Sequence, residues 1–237
     1  MQLLLDIGLV LAGYLLGSIP FGLLIVRMAT GKDIRQVESG RTGGTNAMRA
    51  AGFWAGLGTA LMDILKGVVA TWLAQSLSPG NHLIHILAPL ASILGHNYSA
   101  FLPEFNEAGK FVRLRGGAGG APALGGAIGL WPPSVFIILP LGALVFFTAG
   151  YASITTLSIG FFATLIFALR AYWGEPGADW LDVWYGAASL VLLIWALRPN
   201  IQKLFSGNER VVGISLHGRL KTKQEKKNAA EAIQEID

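Results

Sequence analysis

Residues 3–26, LLLDIGLVLAGYLLGSIPFGLLIV, decide the fold class of this chain. The stretch contains one charged residue, Asp6, and is long enough to cross a bilayer, since a transmembrane helix needs about 20 mostly apolar residues. It therefore predicts a membrane-spanning helix near the start of the chain. Working outward from it, we find the same apolar pattern repeated along most of the sequence.

The composition indicates the same environment. Of the 237 residues, 53% are hydrophobic and 14% are charged, with a mean hydropathy of +0.53. Soluble domains usually carry about 25% charged residues. The chain has no cysteine, which excludes disulfides, thiolate metal sites and cysteine nucleophiles. Its four histidines lack the spacing of metal ligands, so we expect no metal site.

Further apolar segments follow the first span. Three of them are continuous, at residues 53–77, 83–102 and 151–169. Residues 118–150 are too many for one span and contain Trp131-Pro132-Pro133, so we expect two helices joined by a tight turn. A last segment covers residues 180–197. The sequence therefore predicts an all-α integral membrane protein with about seven transmembrane helices.

The positions of lysine and arginine predict the orientation. Basic residues cluster after predicted spans one, three and seven, and Arg170 is the one that falls on the opposite side. The positive-inside rule then places the N-terminus outside and the C-terminus in the cytoplasm. This orientation explains the net charge of +4 without nucleic-acid binding. We divide the chain into a single transmembrane domain, residues 1–205, and a cytoplasmic C-terminal tail, residues 206–237, helical or disordered.

The first polar segment of interest is residues 39–46, SGRTGGTN, which Arg49 follows. Glycine allows backbone N–H groups to converge on an anion, and hydroxyl and amide groups add further donors. Arginine binds phosphate through two parallel hydrogen bonds. The segment is therefore a candidate phosphate site. A polar turn that leads into a helix explains the same residues equally well.

A second glycine-rich segment, residues 113–120 with the sequence RLRGGAGG, lies where a loop enters the fourth predicted span. Glycine N–H groups at the N-terminus of a helix attract anions. The alternative is close helix packing, in which Gly125 and Gly129 continue a pattern of small residues four apart.

Ionisable residues that could serve a site also lie within the predicted membrane region. Asp63 and Lys66 are three residues apart in span two and share one helix face. Charged groups at that depth face a partner or a wet cavity, so the pair either braces the loops or takes part in catalysis. His96 closes span three and is either a site residue or a structural histidine.

Polar residues also follow the last predicted span. Asn200 and Glu209 are candidates for a site there. A snorkelling Arg198 and a helix-ending Asn200 are the structural alternative.

Taken in chain order, these segments resemble the acyl-phosphate-dependent glycerol-3-phosphate acyltransferases of bacterial membranes. The resemblance covers about residues 10–210. The two glycine segments and Arg49 carry part of it. The other matching blocks are residues 13–22 (GYLLGSIPFG), 33–35 (DIR), 63–67 (DILKG), 95–96 (GH) and 200–209 (NIQKLFSGNE).

The resemblance implies transfer of the acyl group of a long-chain acyl phosphate to the 1-hydroxyl of glycerol 3-phosphate, which gives lysophosphatidate and phosphate for phospholipid synthesis. It implies no cofactor, no metal and a place in the cell (inner) membrane. The expected partners are acyl phosphate, glycerol 3-phosphate and membrane lipids, and we expect a monomeric chain.

The resemblance also implies roles for individual residues. Ser39 and Arg49 are expected to be catalytic, and Asp63, Lys66 and His96 to support the site. The expected substrate-binding residues are Gly40, Gly43, Gly44, Thr45, Asn46, Arg115, Gly116, Gly117, Gly119, Asn200 and Glu209.

Three residues depart from the family pattern. Ala118 stands at the lysine of the usual GGKG sequence, Leu197 at a usual histidine, and Arg41 at a usual asparagine. Arg41 and Arg115 are candidates to replace the missing charge. A second hypothesis is therefore a catalytically altered or inactive paralogue that binds or transports lipids or anions.

Overall fold

The structure is a computed structural model that describes residues 1–234. Residues 235–237 of the predicted tail lie outside the described residues. The helices are α1 (Gln2–Ser18), α2 (Phe21–Thr30), α3 (Gly44–Ala51), α4 (Phe53–Leu77), α5 (His82–Asn97), α6 (Gly120–Leu130), α7 (Val135–Ala149), α8 (Ala152–Tyr172), α9 (Trp180–Phe205) and α10 (Leu216–Gln234). Strands β1 (Pro103–Phe105) and β2 (Phe111–Leu114) pair in antiparallel orientation.

Within the described residues 1–234, five helical segments are long and apolar enough to cross a membrane. They are α1 with α2, α4, α7 with the turn before it, α8 and α9. The helices within the other two predicted spans, α5 and α6, have 16 and 11 residues. The mostly helical architecture is confirmed, whereas the count of seven spans stays a prediction.

The first predicted span is divided into two helices. Helix α1 ends at Ser18 and α2 begins at Phe21. Ile19 has an extended conformation with φ −59° and ψ 117°. The cause is Pro20, because proline lacks an N–H donor and disfavours the helical conformation in the residue before it.

The third predicted span ends earlier than expected. Helix α5 stops at Asn97 because Ser99 makes tertiary hydrogen bonds: its N–H donates to the Arg115 carbonyl at 2.9 Å, and its hydroxyl to the Ser18 carbonyl at 2.5 Å. The hairpin that follows corrects the all-α prediction, since strands of three and four residues are too short to leave a periodic pattern.

The predicted break at Trp131-Pro132-Pro133 is confirmed. Helix α6 ends at Leu130 and α7 begins at Val135. The last predicted span, in contrast, extends beyond its expected end, since α9 continues to Phe205. Asn200 therefore lies inside a helix, and the alternative in which it ends the helix is wrong.

Glycine residues allow two helix pairs to pack backbone against backbone. Gly13 and Gly17 of α1 face the backbone of α5, and Gly67 of α4 faces Gly125 of α6. A Cβ on Gly17 would overlap the Ser92 carbonyl. Close packing of this kind holds the polar ends of α1, α4, α5 and α6 near one another.

Candidate active site

A cavity of about 390 Å³ lies where the loop before α3 meets the starts of α6 and α8 and the end of α9. Its volume is in the range of small-molecule sites, about 300–1,000 Å³. The predicted site residues that line it are Ser39, Gly43, Gly44, Thr45, Asn46, Arg49, Asp63, His96, Gly119, Asn200 and Glu209. The structure therefore brings both glycine segments and the block after Leu197 to one place.

Five predicted residues, Gly40, Lys66, Arg115, Gly116 and Gly117, are not among those that line the cavity. Gly40 lies in the turn of the first segment with φ +66°, a left-handed conformation that glycine adopts without strain. Lys66, Gly116 and Gly117 pack against His96, which does line the cavity. Arg115 pairs with Glu104 outside the cavity.

The first glycine segment is held by Asn46. The amide nitrogen of Asn46 lies 3.2, 3.0 and 2.8 Å from the carbonyl oxygens of Ile34, Val37 and Arg41. Its donors are therefore directed at the loop backbone. In this structure Asn46 shapes the segment, and its buried Oδ1 has no hydrogen-bond partner among the described residues.

The two glycine segments are joined directly. The Thr42 N–H donates to the Gly116 carbonyl at 3.3 Å, and the Gly117 N–H donates to the His96 carbonyl at 2.8 Å. A Cβ on Gly117 would overlap the His96 ring. Gly119 has φ +87° and immediately precedes α6. Only glycine fits this junction without displacing its neighbours.

Asp63, Lys66 and His96 form a buried cluster behind the cavity. Lys66 Nζ lies 2.8 Å from Asp63 Oδ1 and 3.2 Å from His96 Nδ1, and donates to the Gly17 carbonyl at 3.0 Å. Asp63 Oδ2 accepts no hydrogen bond from the described residues. The pair neutralises its own charge, as buried ions require, and places Asp63 at the cavity wall.

The segment that follows α9 contributes a second carboxylate, Glu209. The Asn200 amide donates to Glu209 Oε1 at 3.2 Å, while the buried Glu209 Oε2 has no partner among the described residues. The segment that carries Glu209 is anchored by the Val212 N–H, which donates to the Gly150 carbonyl at 2.7 Å. Arg210 pairs with Glu38, which immediately precedes the first glycine segment.

Arg41 reaches into the same region. Its guanidinium donates to the carbonyl oxygens of Gly117 and Ala196 at 3.1 and 2.8 Å, and to Asn200 Oδ1 at 3.0 Å. Burial lowers the pKa of Arg41 below its ordinary value. Arginine nevertheless stays protonated in proteins, so Arg41 brings a positive charge to the cavity.

Arg115 points elsewhere. Its Nη2 lies 3.0 Å from Glu104 Oε1 of β1, and its Nη1 donates to the Arg35 carbonyl at 3.2 Å. Hydrogen bonds from Arg113 and Arg115 hold the pKa of Glu104 below its ordinary value of 4.5. The expected substrate-binding side chain thus fastens the hairpin to the first loop.

Several lining residues were not expected from the sequence. Ser153 of α8 is buried, and its hydroxyl has no hydrogen-bond partner among the described residues. The run of hydroxyl residues in SITT, 153–156, at the start of an apolar span was the available signal. The other unexpected polar lining residues are Glu38, Thr155, Thr156, Lys203, Asn208 and Arg210.

The remaining wall of the cavity is apolar. It is formed by side chains of α4, α6, α7 and α8, namely Ile64, Leu124, Leu139, Phe146 and Ile159. A ligand with an anionic head and a hydrocarbon chain matches both walls. Basic and hydroxyl side chains at one end meet aliphatic and aromatic groups at the other.

Comparison with known proteins gives a family. The model of a family described as glycerol-3-phosphate acyltransferase matches residues 7–207. A glycerol-3-phosphate acyltransferase of Rubrobacter xylanophilus is 36% identical over 210 residues, which cover 89% of this chain and 96% of that protein.

Two solved structures are also similar. Both are crystal structures of PlsY (YgiH), an integral membrane glycerol 3-phosphate acyltransferase. The glycerol 3-phosphate form has a TM-score of 0.74 at 29% identity, and the lysophosphatidic acid form 0.72 at 27%. Each match covers 88% of this chain and 96% of the other. With most of its length matched in sequence and in fold, this chain belongs to the glycerol-3-phosphate acyltransferase family.

Proposed function

We propose that the chain transfers the acyl group of an acyl phosphate to the 1-hydroxyl of glycerol 3-phosphate, giving lysophosphatidate and inorganic phosphate. One observation carries this proposal: a single cavity has a polar end, built from both glycine segments and the end of α9, and an apolar wall. Both reactants carry phosphoryl groups that require hydrogen-bond donors. The acyl chain requires the apolar wall.

The residue roles follow from position in the cavity. Ser39 and Arg49 line the polar end, where a hydroxyl and a guanidinium bind phosphoryl oxygens. Gly119 brings the N-terminus of α6 to the same end, which favours negative charge. Asn200 and Glu209 orient glycerol 3-phosphate, because Glu209 Oε2 is an acceptor free to receive a glycerol hydroxyl.

The chemical step is an acyl substitution. The 1-hydroxyl oxygen attacks the carbonyl carbon of the acyl phosphate, and an ester C–O bond forms. The bond between that carbon and the bridging phosphate oxygen breaks, and phosphate leaves with the electron pair. The hydroxyl proton passes to the phosphate. Since an acyl phosphate is already activated, correct placement of the two reactants supplies much of the rate.

Purified protein in detergent or proteoliposomes tests this function. With acyl phosphate and glycerol 3-phosphate, we expect equal amounts of lysophosphatidate and phosphate, and no product when either substrate is omitted. Acyl-coenzyme A in place of acyl phosphate is the donor control and should give no product. A folded protein that is silent with acyl phosphate rejects the proposal.

A second candidate function has one observation in its favour. Ala118 and Leu197, which replace the usual lysine and histidine, both line the cavity. A paralogue that binds or moves lipids or anions without acyl transfer would therefore suit the same cavity. Phosphate flux across proteoliposomes in the absence of acyl transfer favours this alternative, and acyl transfer without flux rejects it.

The orientation in the membrane is part of the proposal. It has seven spans in an inner-membrane protein, with residues 1–205 as the membrane domain and residues 206–237 as a cytoplasmic tail. The cavity then lies in the cytoplasmic half of the membrane and opens toward the cytoplasm. The chain has no cysteine, so single cysteines can report its topology. In intact cells an impermeant maleimide should label Gly80→Cys but not Ser206→Cys, and the reverse result contradicts the orientation.

A further inference from the structure

Three departures from the family pattern meet at one point of the fold. Arg41 donates to the Gly117 carbonyl, which immediately precedes Ala118, and to the Ala196 carbonyl, which immediately precedes Leu197. All three departing residues line the cavity. The guanidinium therefore lies between the two backbone segments that lack the usual basic side chains.

Arg41 keeps donors and charge for a ligand. A guanidinium has five N–H donors, and the hydrogen bonds to Gly117, Ala196 and Asn200 use three of them. All three acceptors are uncharged oxygens. Two N–H groups and a positive charge thus remain for an anionic oxygen in the cavity.

Arg41 also sets the orientation of a neighbouring side chain. Because its guanidinium donates to Asn200 Oδ1, the Asn200 amide nitrogen is directed at Glu209 Oε1. Through its own carbonyl, Arg41 accepts a hydrogen bond from Asn46 at 2.8 Å. One residue therefore connects the first glycine segment, the second glycine segment and the end of α9.

The other candidate for the missing charge does not occupy this position. Arg115 is held by Glu104 and does not line the cavity. Arg210 lines the cavity but pairs with Glu38. Between the two candidates named from the sequence, Arg41 and Arg115, the geometry therefore selects Arg41.

We propose that Arg41 is a substrate-binding residue of this chain, which grips a phosphoryl oxygen of the phosphate-bearing substrates and at the same time positions Asn200. In this chain the positive charge that the usual lysine would supply from the second glycine segment comes instead from Arg41 of the first. The inference rests on the proposed acyl transfer and specifies how its site is built.

The test moves the charge from one segment to the other. Four variants are compared with the parent enzyme: Arg41→Asn, Ala118→Lys, the double variant of both, and Arg27→Asn as a matched control on the exposed surface of α2. We expect Arg41→Asn to lower kcat/KM about 100-fold, as loss of one preorganised donor does. The double variant should recover to within about tenfold of the parent, since lysine also binds phosphate. Arg27→Asn should match the parent.

Phosphate binding supplies a readout independent of turnover. Inorganic phosphate should raise the unfolding temperature of the parent and of the double variant but not of Arg41→Asn. Arg41→Lys covers the case in which Arg41→Asn does not fold. It keeps the charge and should keep phosphate stabilisation, while kcat falls because Asn200 loses its partner.

The outcomes separate the two proposals. A parent enzyme that binds phosphate through Arg41 but transfers no acyl group contradicts the acyl transfer and leaves the role of Arg41 standing. Full phosphate stabilisation in Arg41→Asn, or a double variant no better than Arg41→Asn, overturns the role of Arg41.

Discussion

Buried carboxylates lie at both ends of the helix bundle, and their surroundings differ. Asp6, at the start of α1, accepts hydrogen bonds from Gln2 at 3.0 Å, Ser78 at 2.8 Å and Asn81 at 3.0 Å. Glu209, at the cavity, accepts one from Asn200, and its second oxygen has no partner among the described residues. Asp6 is thus satisfied within the protein, which suits a role in stability, whereas Glu209 keeps one acceptor open for a ligand.

The same contrast extends to the neighbours of each carboxylate. Near Asp6, the His82 ring lies 2.8 Å from Asp182, and the His85 ring lies 2.8 Å from the Ser78 carbonyl. Near Glu209, the buried oxygens Asp63 Oδ2 and Ser153 Oγ have no hydrogen-bond partner among the described residues. Buried polar atoms without partners are costly, and four of the residues that carry such atoms, Asn46, Asp63, Ser153 and Glu209, line the cavity, where a ligand can complete their hydrogen bonds.

The largest expected effect comes from neutralising one carboxylate at each end. Glu209→Gln should lower acyl transfer about 100-fold, because the acceptor for the glycerol hydroxyl is lost. Its unfolding temperature should not fall. Asp6→Asn should behave in the opposite way, with unchanged turnover and a lower unfolding temperature, because Asn81 then faces a second amide donor. Steady-state kinetics and thermal unfolding in detergent measure both, and similar profiles for the two variants contradict the comparison.

The buried pair behind the cavity should give the next largest effect. Lys66→Met leaves Asp63 buried without its partner, which costs about 3–5 kcal/mol of unfolding free energy. The double variant Asp63→Asn with Lys66→Met should regain most of that stability. Denaturant unfolding of the single and double variants tests this. If the double variant is no more stable than Lys66→Met, the cost of the single variant does not come from the unpaired Asp63 carboxylate.

A methyl group added at each end should give a smaller difference. Gly117→Ala forces the His96 ring to move, and a small displacement in the site is expected to lower kcat/KM about tenfold. Gly80→Ala, in the turn between α4 and α5, has no heavy atom within 4 Å of the added Cβ. It should leave kinetics unchanged. Equal activity of the two variants would show that the glycine junction tolerates a side chain.

The smallest effect is expected at the hairpin outside the bundle. The pKa of Glu104 is lowered in the folded protein, so its contribution to stability is present above its ordinary pKa of 4.5 and is lost as the pH falls through the folded value. Because the side chain is solvated, Glu104→Gln at pH 7 should speed amide exchange in residues 103–114 only about twofold. Hydrogen exchange of the parent and the variant measures this, and an unchanged rate contradicts the predicted contribution.

The sequence predicted the features that depend on local pattern. Apolar runs located the long helices, and Trp131-Pro132-Pro133 located a break that the structure has. The spacing of Asp63 and Lys66 placed them on one helix face, and they form an ion pair at 2.8 Å. These features follow from residues a few positions apart.

Features that depend on distant contacts could not be predicted in this way. Arg41 contacts a carbonyl 155 positions away, so the sequence could not choose between Arg41 and Arg115 as the source of charge. The sequence pattern does not single out Ser153, because a serine within an apolar span usually forms a hydrogen bond with the backbone of its own helix. The split at Pro20 was missed because both halves are apolar, and proline is tolerated in many membrane helices.

The length of α6 determines how deep the chemistry lies. Its 11 residues rise at most about 16 Å, about half of a hydrocarbon layer of about 30 Å. The far end of α6 is followed by Trp131, on whose ring Arg170 stacks at 4.2 Å, a pairing suited to the lipid headgroup region. In the proposed orientation Gly119 therefore lies near the midplane of the bilayer, at the inner end of a cavity that opens toward the cytoplasm. Under the proposed function, glycerol 3-phosphate then enters the cavity from the cytoplasm to below the headgroups, and the acyl donor meets it without leaving the lipid.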